Sequence, residues 1–242
     1  MNKAPHLFMF VGVVFLATTA IQLSGQDNSV GDRKDGKHLF ERETFGGNGR
    51  TCLTCHSRET GTVSPQDTQM RFLDDPFDPL FLHDGSDDGV GNGITRMLID
   101  ATILMQLPLP PNVTLGDDPD ASSVILIRGI PTTLNTPALD PVLMVDGRQP
   151  NLQAQAAGAI DDHAQATVVP TAKELDRIAE FQQTDAFFSS LALRNFARGG
   201  PAPGLPQGRT ASEQRGRLFF EDVPHGPTDK VGICAECHLS HP

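Results

Sequence analysis

The sequence predicts a fold of short helices joined by long loops, organised around two copies of one segment. Three observations predict it. The 242 residues include 23 Gly and 19 Pro, a composition that interrupts helices often and leaves much of the chain in loops. Two stretches open with capping boxes, Thr171 with Glu174 and Thr210 with Glu213, and each marks a helix start. A segment beginning at Gly36 returns at Gly216, and both copies end in the spelling C-x-x-C-H.

The chain opens "MNKAPHLFMFVGVVFLATTAIQLSGQDNS", with Lys3 ahead of an apolar run from Leu7 to about Leu23 and small residues at Ala20 and Ser24-Gly25. This reads as a secretory signal peptide over residues 1–25. The alternative is a retained anchor, because the run is close to the ~17 residues of a short membrane span. Both readings place the rest outside the cytoplasm, in the periplasm, and membrane contact follows only if the segment is retained. Roughly 215 residues then remain, enough for one large domain or two small ones. The formal net charge of −11 argues against nucleic acid as a partner and is met by solubility or by basic protein partners.

All four cysteines lie in the two copies: Cys52 and Cys55 followed by His56 in "RTCLTCHS", and Cys234 and Cys237 followed by His238 in "GICAECHLS". Two disulfides are one reading in an exported chain. A C-x-x-C pair, however, closes a very small loop suited to redox catalysis rather than to stapling. A zinc site would have to join ligands from opposite ends of the chain and would leave the histidines without a role. C-x-x-C-H is the attachment signature of c-type haem. The two thiols add across the two porphyrin vinyl groups, and the adjoining imidazole then meets the iron. The expected cofactor is haem c, covalently held at two sites, with His56 and His238 as axial ligands.

"GKHLFERETFGGNGRTCLTCH" and "GRLFFEDVPHGPTDKVGICAECH" each give a Gly, a basic residue, an apolar and aromatic pair, an acidic residue, a loop and then the motif. The first cysteine follows the glycine by 16 positions in one copy and 18 in the other. The alternative is coincidence between two short amphipathic helices. As a repeat, the pattern divides the chain into a first haem unit over 30–200 and the start of a second over 208–242. The linker between them is "PAPGLPQ", residues 201–207.

Between the motifs lies "RGIPTTLNTPALDPVLMVDGRQPNLQAQAAGAIDDH". It carries Arg128, Pro131, Leu134 and Asn135, then Asp146-Gly147-Arg148, then Leu152, Gln155-Ala156 and Gly158-Ala159-Ile160. In that order these residues resemble the bacterial di-haem cytochrome c peroxidase family, which includes the methylamine-utilisation di-haem enzymes. The resemblance runs from about Gly36 to the C-terminus. It implies a mainly α fold of two cytochrome c-type haem units with long loops, the first bearing a peroxidase-family insertion. It further implies electron transfer from a small redox-protein donor and reduction of hydrogen peroxide at the first haem. The alternative is an electron-carrier cytochrome, or an inactive remnant of the family. On this resemblance Arg148 reaches a haem propionate or a carboxylate through its fork of donors, and Gln155 faces the peroxide pocket. Read from the residues alone, these are a surface turn and a helix-surface amide.

The departures from the family pattern are specific. Its acid/base glutamate falls at Gln165, which cannot exchange a proton. His163, two residues away, is the substitute, or else merely an exposed histidine. Val145 stands where the family has Trp, and the chain has no Trp or Tyr at all. The family's histidine that caps the first iron has no counterpart just before Arg128; Met105 and His83 are the alternatives, with Met105 read more simply as core. Only four residues follow His238, so the second unit is expected to be incomplete, either because the chain is truncated or because another chain completes it.

Two smaller signals remain. "DGSDDGVGNG" from Asp84 opens like a calcium loop, with Gly89 at the sharp turn but Thr95 at its twelfth position, and is read as half a motif or a solvated acidic turn. Phe181, Phe187, Phe188 and Phe196 lie along a stretch with helical spacing and are expected in the core.

Overall fold

The computed structural model describes residues 35–221 together with Gly232 and Cys234. The N-terminal segment read as a signal peptide or anchor, and Cys237 and His238 of the second motif, lie outside the described residues. The fold is partly helical with one small sheet. In chain order come α1 (Gly36–Glu41), α2 (Cys52–Cys55), α3 (Pro65–Asp74), two 3₁₀ turns (Pro79–Phe81 and His83–Gly85) and α4 (Thr95–Asp100). The strands β1 (Thr102–Pro108) and β2 (Ser123–Gly129) follow, then α5 (Thr136–Leu139), α6 (Leu152–Asp162), α7 (Ala172–Thr184), α8 (Leu191–Ala197) and α9 (Ala211–Phe220). Among the described residues no helix is long and apolar enough to cross a membrane.

Local chemistry sets the helix starts. Reciprocal capping boxes open α7 at Thr171 and Glu174 and α9 at Thr210 and Glu213, and a third opens α3 at Ser64 and Asp67 with Pro65 in the first turn. Each satisfies two backbone donors that would otherwise lack partners. Asn151 caps α6 by accepting from the Ala154 amide at 2.8 Å.

The antiparallel pair β1–β2, in register from Thr102 opposite Gly129 to Pro108 opposite Ser123, was not anticipated from the sequence. It forms from two runs rich in Ile, Leu and Val whose side chains alternate between faces. On β1 the inward residues are Ile103 and Met105, both buried. They pack with Leu80, Phe81, Met97 and Ile130 into one apolar core. A second core joins α1, α6 and α7 through Leu39, Phe40, Ile160, Ile178 and Phe188. There Phe188 meets Phe40 and Phe181, each at 5.3 Å, and Phe187 at 4.9 Å, all edge to face. Such pairs add ~0.5–1.5 kcal/mol each beyond the area they bury. Phe196, expected in the core, is half-buried.

α2 lies between the two cores. Cys55 packs against the first and Cys52 against the second, so the motif is built where the two halves of the fold meet.

The two copies of the repeated segment differ in their surroundings. At Gly36 a Cβ would fall 2.0 Å from the Arg177 carbonyl oxygen and 2.7 Å from the Phe181 Cβ, so only glycine allows α1 to lie this close to α7. At Gly216 a Cβ would meet nothing within 4 Å. Leu39 is fully buried, whereas Phe219 in the second copy is 47 % exposed.

Candidate functional site

α2 is a single turn begun by a capping box between Thr51 and Thr54. Residues three apart on a helix share a face, so Cys52 and Cys55 present their thiols together. Both are free and half-buried. Burial pushes the Cys52 thiol up to about 12, with the neighbouring Cys55 adding to it, and burial raises Cys55 as well. Redox-active cysteines show the opposite shift, towards thiolate at neutral pH.

His56 ends the turn, its backbone N–H donating to the Cys52 carbonyl at 2.9 Å. Its ring Nδ1 lies 2.9 Å from the Gly61 carbonyl oxygen. A carbonyl only accepts, so Nδ1 carries the hydrogen and Nε2 is left with its lone pair. Histidines that ligate metals are oriented in this way. Burial lowers the His56 pKa, more than the Gly61 contact raises it, and keeps the ring neutral.

A cavity of about 320 Å³ adjoins one of about 70 Å³. Arg50, Cys55, His56, Gln155, His163 and Gln182 line both, and Cys52 lines the smaller. β1 contributes Ile103 and Met105 to the larger, and α6 contributes Leu152. Arg128 and Arg148 line the same cavity and flank one carboxylate: Arg148 donates to Asp146 at 2.8 and 2.9 Å, and Arg128 stands 3.9 Å from it. Arg148 is thus paired within its own turn.

The most constrained group beside the cavity is Arg50, which is 2 % exposed. Its Nε donates to the Pro79 carbonyl at 2.8 Å. One Nη donates to the Asp84 carboxylate and, at 3.1 Å, to the His163 carbonyl. The other donates to the carbonyls of Leu80, at 3.0 Å, and Leu82. A guanidinium has five N–H donors, and all five are used. The second Asp84 oxygen stands 2.5 Å from Nδ1 of His163. Asp84 is 5 % exposed. Burial alone would raise its pKa, but the hydrogen bond from His163 and the charge of Arg50 hold it below the usual carboxylate value.

Of the residues singled out in the sequence, Cys52, Cys55, His56, Arg148, Gln155 and His163 are brought together at the two cavities. Gln165 is not. It lies exposed in the left-handed region, at φ +50, its side-chain oxygen accepting from Asn48 at 3.2 Å. Met105 is both core and cavity wall, while His83 lines neither cavity. The acidic loop is occupied by its own chain. Asp87 accepts from the Thr95 and Arg96 amides, Asp88 from the Val90 and Asn92 amides, and Asp84 is spent on Arg50 and His163. Among the described residues no cluster of three or more His, Cys, Asp or Glu is placed to hold a metal ion.

Three cavity groups escaped the sequence reading: Arg50, Asp84 in this role, and Gln182. Arg50 adjoins the motif but looks like any loop cation. Gln182 is 3 % exposed and makes only a long 3.4 Å bond to the Ile178 carbonyl of its own helix; its polarity suggests a surface position.

No family model, curated protein or solved structure matches the chain.

Proposed function

We propose that the chain is an exported, periplasmic di-haem c-type cytochrome that moves single electrons and reduces hydrogen peroxide at its first site. One observation carries this reading: Cys52, Cys55 and His56 border the same pair of adjoining cavities, with Nδ1 of His56 committed to Gly61 so that Nε2 is left for a metal. Free thiols on one helical face, a neutral imidazole, apolar walls and two arginines at the same cavity fit a haem with its vinyl edge towards α2. The resemblance to di-haem cytochrome c peroxidases, carried by Arg128, Asp146-Gly147-Arg148 and Gln155-Ala156, supports the same assignment.

When bound, haem supplies reversible one-electron chemistry and an iron position for peroxide. The protein's own residues do the remainder. Cys52 and Cys55 would tether the haem, His56 would ligate it through Nε2, and Arg128 and Arg148 would offer cations to its propionates. The Gln155 amide orients a peroxide, and His163 moves its proton. The balance is one hydrogen peroxide, two electrons and two protons to two waters, with the electrons coming from a small redox-protein donor. The second site, at Cys234, Cys237 and His238, is proposed on its motif alone. The placement of Gln165 outside both cavities favours a second reading, an electron carrier without peroxidase activity.

The test is production with a cytochrome c maturation system, a pyridine haemochrome spectrum and an intact mass. Changing Cys52 and Cys55 together to Ala removes one covalent haem from the parent's complement; an unchanged haem mass in that variant overturns the assignment.

A further inference from the structure

We propose that Asp84, clamped by Arg50, positions His163 as the acid/base residue of the first site. This rests on the peroxide-reducing reading above and names the group that does its proton work.

The geometry points to His163 by position and by wiring. Gln165, at the position where the resemblance places the family's acid, is exposed, turned towards Asn48 and outside both cavities. His163 borders both cavities and is fixed at two points by one pair of side chains. Asp84 holds its ring at Nδ1, 2.5 Å away, and Arg50 holds its backbone carbonyl at 3.1 Å. Because all five Arg50 donors are engaged, Asp84 cannot swing aside without breaking a buried charge pair. An ionised carboxylate only accepts, so Nδ1 carries a hydrogen and the neutral ring keeps a bare Nε2. That nitrogen takes a proton from hydrogen peroxide and returns it to the departing oxygen. Both protons consumed in the balance come from solvent, and the two electrons come from the redox-protein donor. Asp84 stabilises the imidazolium formed between these two transfers, as a buried carboxylate does behind a catalytic histidine.

Other charged groups border the cavities and define the controls. Glu43 lines the smaller cavity, its carboxylate accepting from the Phe45 amide at 3.1 Å. Asp140 lines the larger from an exposed position after α5. His56 lines both, its Nδ1 held by Gly61. None of these has a ring nitrogen backed by a buried carboxylate: Glu43 and Asp140 have no ring, and His56 is backed by a backbone carbonyl.

The test uses haem-loaded protein and a readout other than turnover. Hydrogen cyanide must give up a proton to bind ferric iron, so its association rate against pH reports the base in the cavity. His163→Gln is expected to slow association by on the order of 10²-fold and to change its pH profile, with the haem content unchanged. Asp84→Asn is expected to slow association as well, because the imidazolium formed on His163 loses its stabilising charge. Glu43→Gln and Asp140→Asn are expected to leave the profile as in the parent. If buried Asp84→Asn does not accumulate, His163→Gln decides the matter alone. A haem-loaded His163→Gln protein with the parent's rate and profile overturns this inference and leaves the cytochrome assignment standing. A chain that takes up no haem overturns both.

Discussion

His163 donates from Nδ1 to Asp84 across 2.5 Å, joining residues 79 positions apart in the chain. The contact ties the end of α6 to the acidic loop and holds Asp84 ionised under the charge of Arg50. Because the Asp84 pKa is lowered from 3.8 in the fold, the stability it contributes is present above that value and is lost as pH falls through the folded one. Asp84→Asn leaves Arg50 buried without its counter-charge, a change that typically costs ~3–5 kcal/mol. Urea unfolding at pH 7 should show a loss of that order, and the gap between variant and parent should narrow as the pH is brought below about 4.

Gly36 and Gly216 occupy the same place in the repeated segment, and substituting each should have opposite consequences. Gly36→Ala forces a methyl group against the Arg177 carbonyl and should destabilise by ~1–3 kcal/mol as α1 is driven off α7. Gly216→Ala meets no obstacle and should gain ~0.5–1 kcal/mol, the usual benefit of Ala over Gly within a helix. Two urea titrations at one pH check both.

Gln165→Glu restores the carboxylic acid that the family resemblance calls for, yet places it on the exposed side of Asn48. Peroxide turnover with a reduced cytochrome donor should stay near the parent's, far short of the ~10²–10⁴-fold that a working general acid contributes. A large rise would show that the 163–165 segment turns inward in the loaded protein and would return the proton role to position 165.

In haem-free protein the thiol of Cys52 is pushed up to about 12. Iodoacetamide at pH 8 should therefore label the folded chain slowly and the urea-unfolded chain fast, as followed by mass. Since this pKa is raised on folding, the associated stability is complete below 9 and drains away as pH climbs towards 12. Cys52→Ala should flatten that alkaline decline.

What was legible in the sequence was local. The capping boxes at Thr171 and Thr210 are read over four residues, and they open α7 and α9. Cys52, Cys55 and His56 are adjacent, so a single helical turn suffices to group them. Phe188 enters the core with the half-buried Phe181 and Phe187 packed against it, although Phe187 and Phe188 lie between helices rather than on one. The hairpin was missed because β1 and β2 are separated by a long loop with no tight-turn signal, and register across such a gap has no local signature. Asp84 was read with its neighbours Asp87 and Asp88, as half of a calcium-loop motif or a solvated acidic turn. Its partners come instead from residues 50 and 163, which only the tertiary fold brings to it. Gln182 looks like solvent-facing polarity until α6 and the cavity are set against it.

The clamp of α1 onto α7 has a consequence in time. Cys52 and Cys55 emerge from synthesis well before residues 172–184 exist, and the core that closes over Cys52 needs Ile178 and Phe188. At ~5–20 residues per second the motif stays open for on the order of ten seconds, its thiols near their ordinary acidity. Once α7 docks through the notch at Gly36, those thiols are buried and weakly acidic. Whatever is joined to this pair is best joined early, so the length of chain between the motif and its lid acts as a clock for maturation.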